Sequence, residues 1–344
     1  MSKAYITGYV SVSETSIPKI TDHISFIDFL GAVRVRLGIR RGFYRVSPGL
    51  YAIGLPGKDS DVFITSNYKL SFDSLRGNLK GLNGWILVLD TKGINVWCAA
   101  GKGTFSTNEL ARSIREVSLH NIVTHRRLIL PQLGATGVAA HRIREETGFV
   151  VNYGPVRASE IKKFIENGYH ADRSMRKVTF GLKDRIKLIP NDFFSGIYYL
   201  LAAMTVLFII SGLSNSGFSL NGLRTNGITA LIRVLFGYCG GIVVTPILLP
   251  CLPGRYFSLK GFFAGLAMFL LINIFSQSEE STIEVLSWFF LITSISSFTA
   301  MNFTGSSTYT SLSGVKKEMK RFIPLQTGFA LTGTVLQILG KVIN

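Results

Sequence analysis

From residue 193 onward the sequence passes through five apolar segments, at about 193–213, 228–249, 259–276, 283–303 and 322–342. Each approaches the ~20 apolar residues that cross a hydrocarbon core, the third being the shortest. Five in succession argue against buried helices of a water-soluble core. They also explain why the mean hydropathy is positive at +0.33. Only Arg233 sets a full charge more than two residues inside a segment, and it is read as lying near an end, where it can snorkel. The spans lack deep Asp, Glu or His and matched pairs of Gly- or Pro-broken helices, features that transporters use. Pro246, Pro250 and Pro253 read as a helix terminus, and Gly237 to Gly241 as a site of close helix packing. The expectation is an anchor or docking platform rather than a transport path.

Basic residues set the expected orientation. Arg176, Lys177, Lys183, Arg185 and Lys187 precede the first span, Arg255 and Lys260 follow the second, and Lys316, Lys317, Lys320 and Arg321 follow the fourth. On the opposite face the first loop holds Arg224, and the loop after the third span holds Glu279, Glu280 and Glu284 with no Lys or Arg. The pattern places the N-terminal half in the cytoplasm and the protein in the inner, cytoplasmic membrane as a multi-pass chain. Met1 to Ile20 has no apolar core of a signal peptide.

Residues 1–189 read differently. They hold 28 of the 37 Lys and Arg and 15 of the 20 Asp and Glu, so most of the +17 net charge lies there. A basic surface beside an anionic leaflet is favourable. No nucleic-acid motif or aromatic–basic interleaving accompanies it, so nucleic acid is not expected as a partner. Of the three cysteines only Cys98 falls in this half, consistent with a reducing compartment. Strands are predicted at 50–54, 61–65, 85–90, 127–130 and 149–153. Helices are predicted from a Ser71 cap to Asn78, from a Ser106–Glu109 capping box to about His120, over Val138–Thr147, and from Ser159 to Asn167 closed by Gly168. Alternating strands and helices imply an α/β layer with mostly parallel strands. The division is then 1–39 as an N-terminal extension, with a short amphipathic helix at Ile24–Leu37, 40–189 as an α/β domain, and 190–344 as a five-helix membrane domain.

Cys98 is the residue of greatest chemical interest. It follows the apolar run 85–90 and a Gly93 turn, with Asn95 as helix cap, and so sits in the first turn of a helix at the positive end of its dipole. Lys102 is one turn on, and Ala99, Ala100, Gly101 and Gly103 leave room for something large and flat, beside which Trp97 could pack. Several readings are open. A zinc site lacks nearby partner ligands. A Cys–His hydrolase would need His120, His125 or His141 delivered by the fold. Gly101-Lys102-Gly103-Thr104 fails the phosphate-loop pattern, which needs Gly where Val96 stands. A buried, inert cysteine is the plain alternative.

The string Asn95-Val96-Trp97-Cys98-Ala99-Ala100-Gly101-Lys102 resembles the cap-helix signature of the HgcA family of mercury-methylating corrinoid proteins, relatives of the corrinoid iron–sulfur protein of the acetyl-CoA pathway. Segments 44–51, 65–70, 132–140 and 153–158 also resemble that family, as does a five-span tail, so that the likeness extends over about residues 40–344. Thr136 departs from it where proline is expected. The resemblance implies a Rossmann-like corrinoid-binding domain followed by an all-α transmembrane domain. It implies a cobalamin-type corrinoid with Cys98 as lower axial ligand to cobalt, and a cofactor surface formed by Asn95 to Lys102. Thr65, Asn67, Gln132, Gly134, Gly137 and Val138 are further corrin contacts expected from their positions after strands, with ordinary turn chemistry as the alternative. The Asp-x-His-x-x-Gly cobalt-ligating pattern is absent, Asp22-His23 having the wrong spacing. The implied activity is methyl transfer from cobalt to Hg(II), with a ferredoxin-like partner bearing two [4Fe–4S] clusters as reductant and a methyltetrahydrofolate-linked methyl donor. Two alternatives are a methyl carrier of one-carbon metabolism and a membrane receptor whose α/β domain binds a nucleotide or small ligand.

Overall fold

The structure, a computed structural model, describes residues 4–12, 15–215, 217–275, 281–306 and 312–343. Glu279 and Glu280, read above as part of an outer loop, lie outside the described residues. The chain divides into two compact units, Met1–Val35 with Ile39–Thr179, and Arg36–Gly38 with Phe180–Asn344.

The first unit is a seven-stranded sheet with helices on both faces. Its elements in order are β1 (Ile6–Val12), β2 (Thr15–Ile20), α1 (Phe26–Arg36), β3 (Gly49–Ile53), β4 (Asp61–Ser66), α2 (Lys69–Asn78), β5 (Gly84–Leu89), α3 (Val96–Lys102), α4 (Thr107–Glu116), α5 (Leu119–Ile122), β6 (Arg127–Leu130), α6 (Ala140–Thr147), β7 (Val150–Tyr153) and α7 (Ile161–Glu166). Strand order is β1-β2-β3-β5-β4-β6-β7. The β2/β3, β4/β5, β4/β6 and β6/β7 pairs are parallel, whereas β1/β2 and β3/β5 are antiparallel. All six residues of β5 are buried, which is why this strand reads as an unbroken apolar run. Trp85, Leu87 and Leu89 pack into the core on one face, while Ile86 and Val88 pack into the core on the other.

Several expectations change here. The stretch read as an N-terminal extension contributes two strands, with Lys19 and Ile20 pairing with Ala52 and Ile53. α2 starts at Lys69 after Tyr68, not at a Ser71 cap, and no side chain caps it. Ser106 does cap α4, accepting from the Glu109 amide at 3.3 Å. Glu109 does not complete a capping box, because its Oε1 accepts from the Asp90 amide at 3.0 Å instead. α4 stops at Glu116, since Ser118 takes left-handed geometry (φ 48°) before α5.

The second unit is helical: α8 (Leu182–Ile186), α9 (Ile189–Ser195), α10 (Ile197–Ile210), a two-strand ribbon β8 (Leu213–Ser214) and β9 (Gly217–Phe218), α11 (Leu220–Cys239), a π-helical turn (Gly240–Val244), α12 (Thr245–Ile247), α13 (Phe257–Phe275), α14 (Thr282–Ser306) and α15 (Leu312–Ile343). Among the described residues four helices are long and apolar enough to cross a membrane, or five if the bent pair Leu182–Ser195 and Ile197–Ile210 forms one span. The unit reads as a membrane protein. The first expected span, 193–213, covers the end of α9 and all of α10, which meet at a 55° bend. Arg233 is not near a helix end. α11 continues through the π turn and Pro246 to Ile247, which leaves Arg233 mid-span, buried, with its guanidinium 5.1 Å from the Trp288 ring centre.

Candidate functional site

In this sheet β4 and β5 run parallel and end side by side, and the loops beyond their C-terminal ends build the site, as expected of α/β layers. After β5 the chain turns through Lys92 and Gly93, both in left-handed geometry (φ 59° and 75°), into α3. Asn95 caps α3 in extended geometry, its Oδ1 accepting from the Cys98 amide at 2.8 Å. At the other end Gly103 closes the helix with φ 77°.

The 3.6-residue repeat splits α3 into two faces. Val96, Ala99 and Ala100 face the core; Trp97, Cys98, Gly101 and Lys102 face outward. Ala99 and Ala100 therefore seat the helix on the sheet and do not clear space above it, as had been expected of them. Gly101 does leave space, since a Cβ there would meet nothing within 4 Å. Cys98 is exposed at a cavity of about 350 Å³ lined by Arg41, Gly42, Tyr68, Lys92, Gly93, Ile94, Asn95, Cys98 and Lys102.

The other expected site residues lie beneath or behind this cavity. Thr65 is buried in β4. Asn67 is buried, and its carboxamide organises the loop: Nδ2 donates to Asp90 Oδ1 at 3.0 Å, while Oδ1 accepts from the amides of Thr91 at 3.2 Å and Gly93 at 2.9 Å. The Thr91 hydroxyl lies 2.9 Å from the same oxygen and 2.7 Å from the Ile94 carbonyl. Asn67 thus positions the turn that carries Cys98. Burial alone would raise the Asp90 carboxyl, but hydrogen bonds and charge from Lys92, with the Asn67 contact, hold it below the ordinary range.

Gln132 and Gly134 form a short 3₁₀ turn under α3. A Cβ on Gly137 would run into the Phe105 carbonyl oxygen and come within 3.1 Å of Ala100, so glycine is required where this loop meets α3. Val138 is buried, and its carbonyl accepts from the Tyr153 hydroxyl at 2.6 Å. The loop 132–138 is a buttress behind the helix.

Sequence reasoning did not single out Arg41, Gly42, Tyr68, Lys92, Gly93 or Ile94 as cavity residues. Three of them carried a signal, Lys92 and Gly93 as a turn before the capped helix and Arg41 in the basic run 40–41. The alternatives for Cys98 weaken here. Among the described residues no three His, Cys, Asp or Glu gather to hold a metal. No histidine lines the cavity, and His125 contacts the Ser60 carbonyl at 2.9 Å. Gly101 and Lys102 lie in the last turn of α3, not in a strand-to-helix phosphate loop. The Cys98 thiol is exposed, not buried.

A large planar metal complex fits this arrangement: one exposed soft donor on a short helix, no competing ligand, and an open face at Gly101. Arg41, Lys92 and Lys102 make the mouth electropositive.

Known proteins share this part of the chain. Residues 40–165 match the family described as CO dehydrogenase/acetyl-CoA synthase delta subunit. The chain is similar to the acetyl-CoA decarbonylase/synthase complex subunit gamma of Archaeoglobus fulgidus, 37% identical over 36% of this chain and 27% of the relative. It is similar to the subunit of that name in Methanopyrus kandleri, 32% identical over 35% of this chain and 26% of the relative. The corrinoid/iron-sulfur protein large subunit of Moorella thermoacetica is 33% identical over 35% of this chain and 27% of the relative. The chain thus spans about a quarter of the length of these curated relatives.

Proposed function

We propose that this chain is a membrane-anchored corrinoid methyltransferase of the HgcA type, with Cys98 as the lower axial cobalt ligand and inorganic Hg(II) as methyl acceptor. The observation that carries the reading is the exposed Cys98 thiol on the capped helix α3, in a region similar to corrinoid proteins. Asn95 fixes where the helix starts, and Asn67 fixes the turn before it. Gly101 leaves the outer face of the helix clear for a macrocycle. A bound corrinoid would supply a cobalt-held methyl group, and the Cys98 sulfur, a softer donor than imidazole, would hold the cobalt and favour release of that group to a thiophilic cation. Trp97 is exposed beside the thiol and can cover one edge of the ring. In this reading a ferredoxin-like protein with two [4Fe–4S] clusters returns the electrons, and a methyltetrahydrofolate-linked donor restores the methyl group. The basic loop residues set the α/β unit on the cytoplasmic side of the inner membrane.

The test is Cys98→Ala, assayed for methylmercury formation in cells and by visible absorption of the protein reconstituted with corrinoid. The expected result is loss of methylmercury and a changed spectrum. Undiminished methylation, or an unchanged spectrum, overturns the ligand role.

The names of the relatives support a second reading, a methyl carrier in one-carbon metabolism of the acetyl-CoA type. It expects methyl transfer to a carbonylation partner to exceed transfer to Hg(II) when the two acceptors are compared on the same holoprotein.

A further inference from the structure

α1 is built inside out. Its one carboxylate, Asp28, is 9% exposed and points into the protein, while Phe26, Ile27, Phe29 and Leu30 are 72%, 64%, 56% and 49% exposed. The inward side is fixed from several directions. Asp28 Oδ1 accepts from Lys69 Nζ at 2.7 Å and Oδ2 from Arg76 at 2.7 Å. Arg76 also donates to the carbonyls of Thr21 at 2.9 Å and His23 at 2.7 Å, and Lys69 and Arg76 both hold Asp73. Ser25 donates through its hydroxyl to Asp28 at 2.9 Å, and a Cβ on Gly31 would strike the Tyr44 hydroxyl at 2.5 Å. Rolling the helix over to hide its apolar side would strip this buried charge cluster, which costs more than the exposed apolar area could return. The outward face is therefore fixed in place with Phe26 stacked on Phe29, ring centres 6.3 Å apart.

Exposed apolar surface of this density marks a contact. Its rim identifies the contact as lipid. Arg34 and Arg36 flank the apolar arc along the helix, and Arg40 and Arg41 follow it, all exposed, with no exposed carboxylate on the helix. Aromatic and aliphatic side chains ringed by arginine are the composition of helices that lie in an anionic headgroup layer. A bilayer is at hand if the second unit spans one, as its helices indicate. The geometry points to α1 as an interfacial helix that rests the α/β unit on the anionic membrane surface, its arginines at the phosphates and its phenylalanines among the upper acyl carbons.

The experiment uses the full chain with Cys98, Cys239 and Cys251 replaced, reconstituted into vesicles of phosphatidylcholine with and without phosphatidylglycerol. Nitroxide labels are placed by Phe29→Cys on α1, by Glu145→Cys on the exposed side of α6 as a water reference, and by Leu331→Cys on α15 as a lipid reference. Accessibility to oxygen and to a water-soluble nickel complex is then read for each. The expected result is a severalfold higher oxygen-to-nickel ratio at residue 29 than at residue 145, larger with phosphatidylglycerol and reduced by Arg34→Glu/Arg36→Glu. A water-like ratio at residue 29 with a lipid-like ratio at residue 331 overturns the inference. Low access of both reagents at residue 29, the sign of a protein cover, also overturns it. A water-like ratio at residue 331 would instead overturn the membrane reading on which the inference rests.

Discussion

The two units differ in how they satisfy buried polar groups. Among its described residues the α/β unit gathers its buried charges into one paired cluster, Lys69 and Arg76 against Asp28 and Asp73, with N–O distances of 2.7 to 2.8 Å. The helical unit scatters its buried charges, Arg185, Asp192, Arg233 and Glu318, and joins its long helices through hydroxyls that answer the backbone of a neighbouring helix. Ser287 donates to the Gly333 carbonyl at 2.9 Å, Ser296 to Gly261 at 2.6 Å and Ser297 to Ser258 at 2.8 Å. Between α13 and α14 the closeness comes from missing side chains, since a Cβ on Gly265 would lie 3.0 Å from the Thr293 Cα. Ionic pairing fixes one geometry and locks α1 to α2. Small-residue contact brings helices together without demanding a unique partner for each group, and it suits a medium with little hydrophobic drive between helices.

The widest gap between the units is expected on deleting a charge. Arg76→Leu leaves buried carboxylates short of a partner and should cost about 3 to 5 kcal/mol. Denaturant unfolding followed by Trp85 fluorescence measures it, while the helical circular dichroism of the second unit stays in place; equal loss in both units would break the comparison. Acid attacks the same cluster. Burial alone would raise the Asp28 carboxyl, yet hydrogen bonds from Lys69 and Ser25 hold it well below the usual range. Its folded-state value is depressed, so its stabilisation is complete above the ordinary carboxyl range near pH ~4 and is lost as pH falls below that. A pH series of melting temperatures should show the α/β unit weakening on that acid side, and a Lys69→Met variant should lose much of the slope. In the helical unit, Gly265→Leu overpacks α13 against α14 and should cost about 1 to 3 kcal/mol, read as a lower melting temperature in detergent. The smallest effect sharpens the site alone: Asn95→Ala removes the cap of α3 and should cost about 1 kcal/mol in global unfolding, with faster amide exchange at Cys98.

What the residues revealed in advance followed how local each signal is. The cap at Asn95, the apolar strand at 84–89 and the apolar spans depend on neighbours in sequence, and they were legible. The faces of α3 were legible in principle, since a 3.6-residue repeat separates Cys98 from Ala99, but small size alone suggested an open surface where the fold uses Ala99 for packing. Asn67 was expected as a corrin contact from its place after a strand, but its role in organising the turn gave no local clue, because those partners lie 23 to 26 positions further on. The antiparallel β3/β5 pair and the entry of β2 beside β3 depend on long-range strand placement, which alternation of strands and helices does not encode. Arg233 was misplaced because the helix begins at Leu220, eight residues before the apolar segment drawn from 228, whereas the prolines do mark its end, which falls at Ile247.

The carboxamide of Asn67 leaves little freedom to the genetic record at that position. Aspartate would set a second negative group against Asp90, leucine would orphan the amides of Thr91 and Gly93, and glutamine would overreach by one methylene. Each of these replacements loosens the turn, so the placement of the thiol at 98 is tied to a buried carboxamide thirty-one places before it.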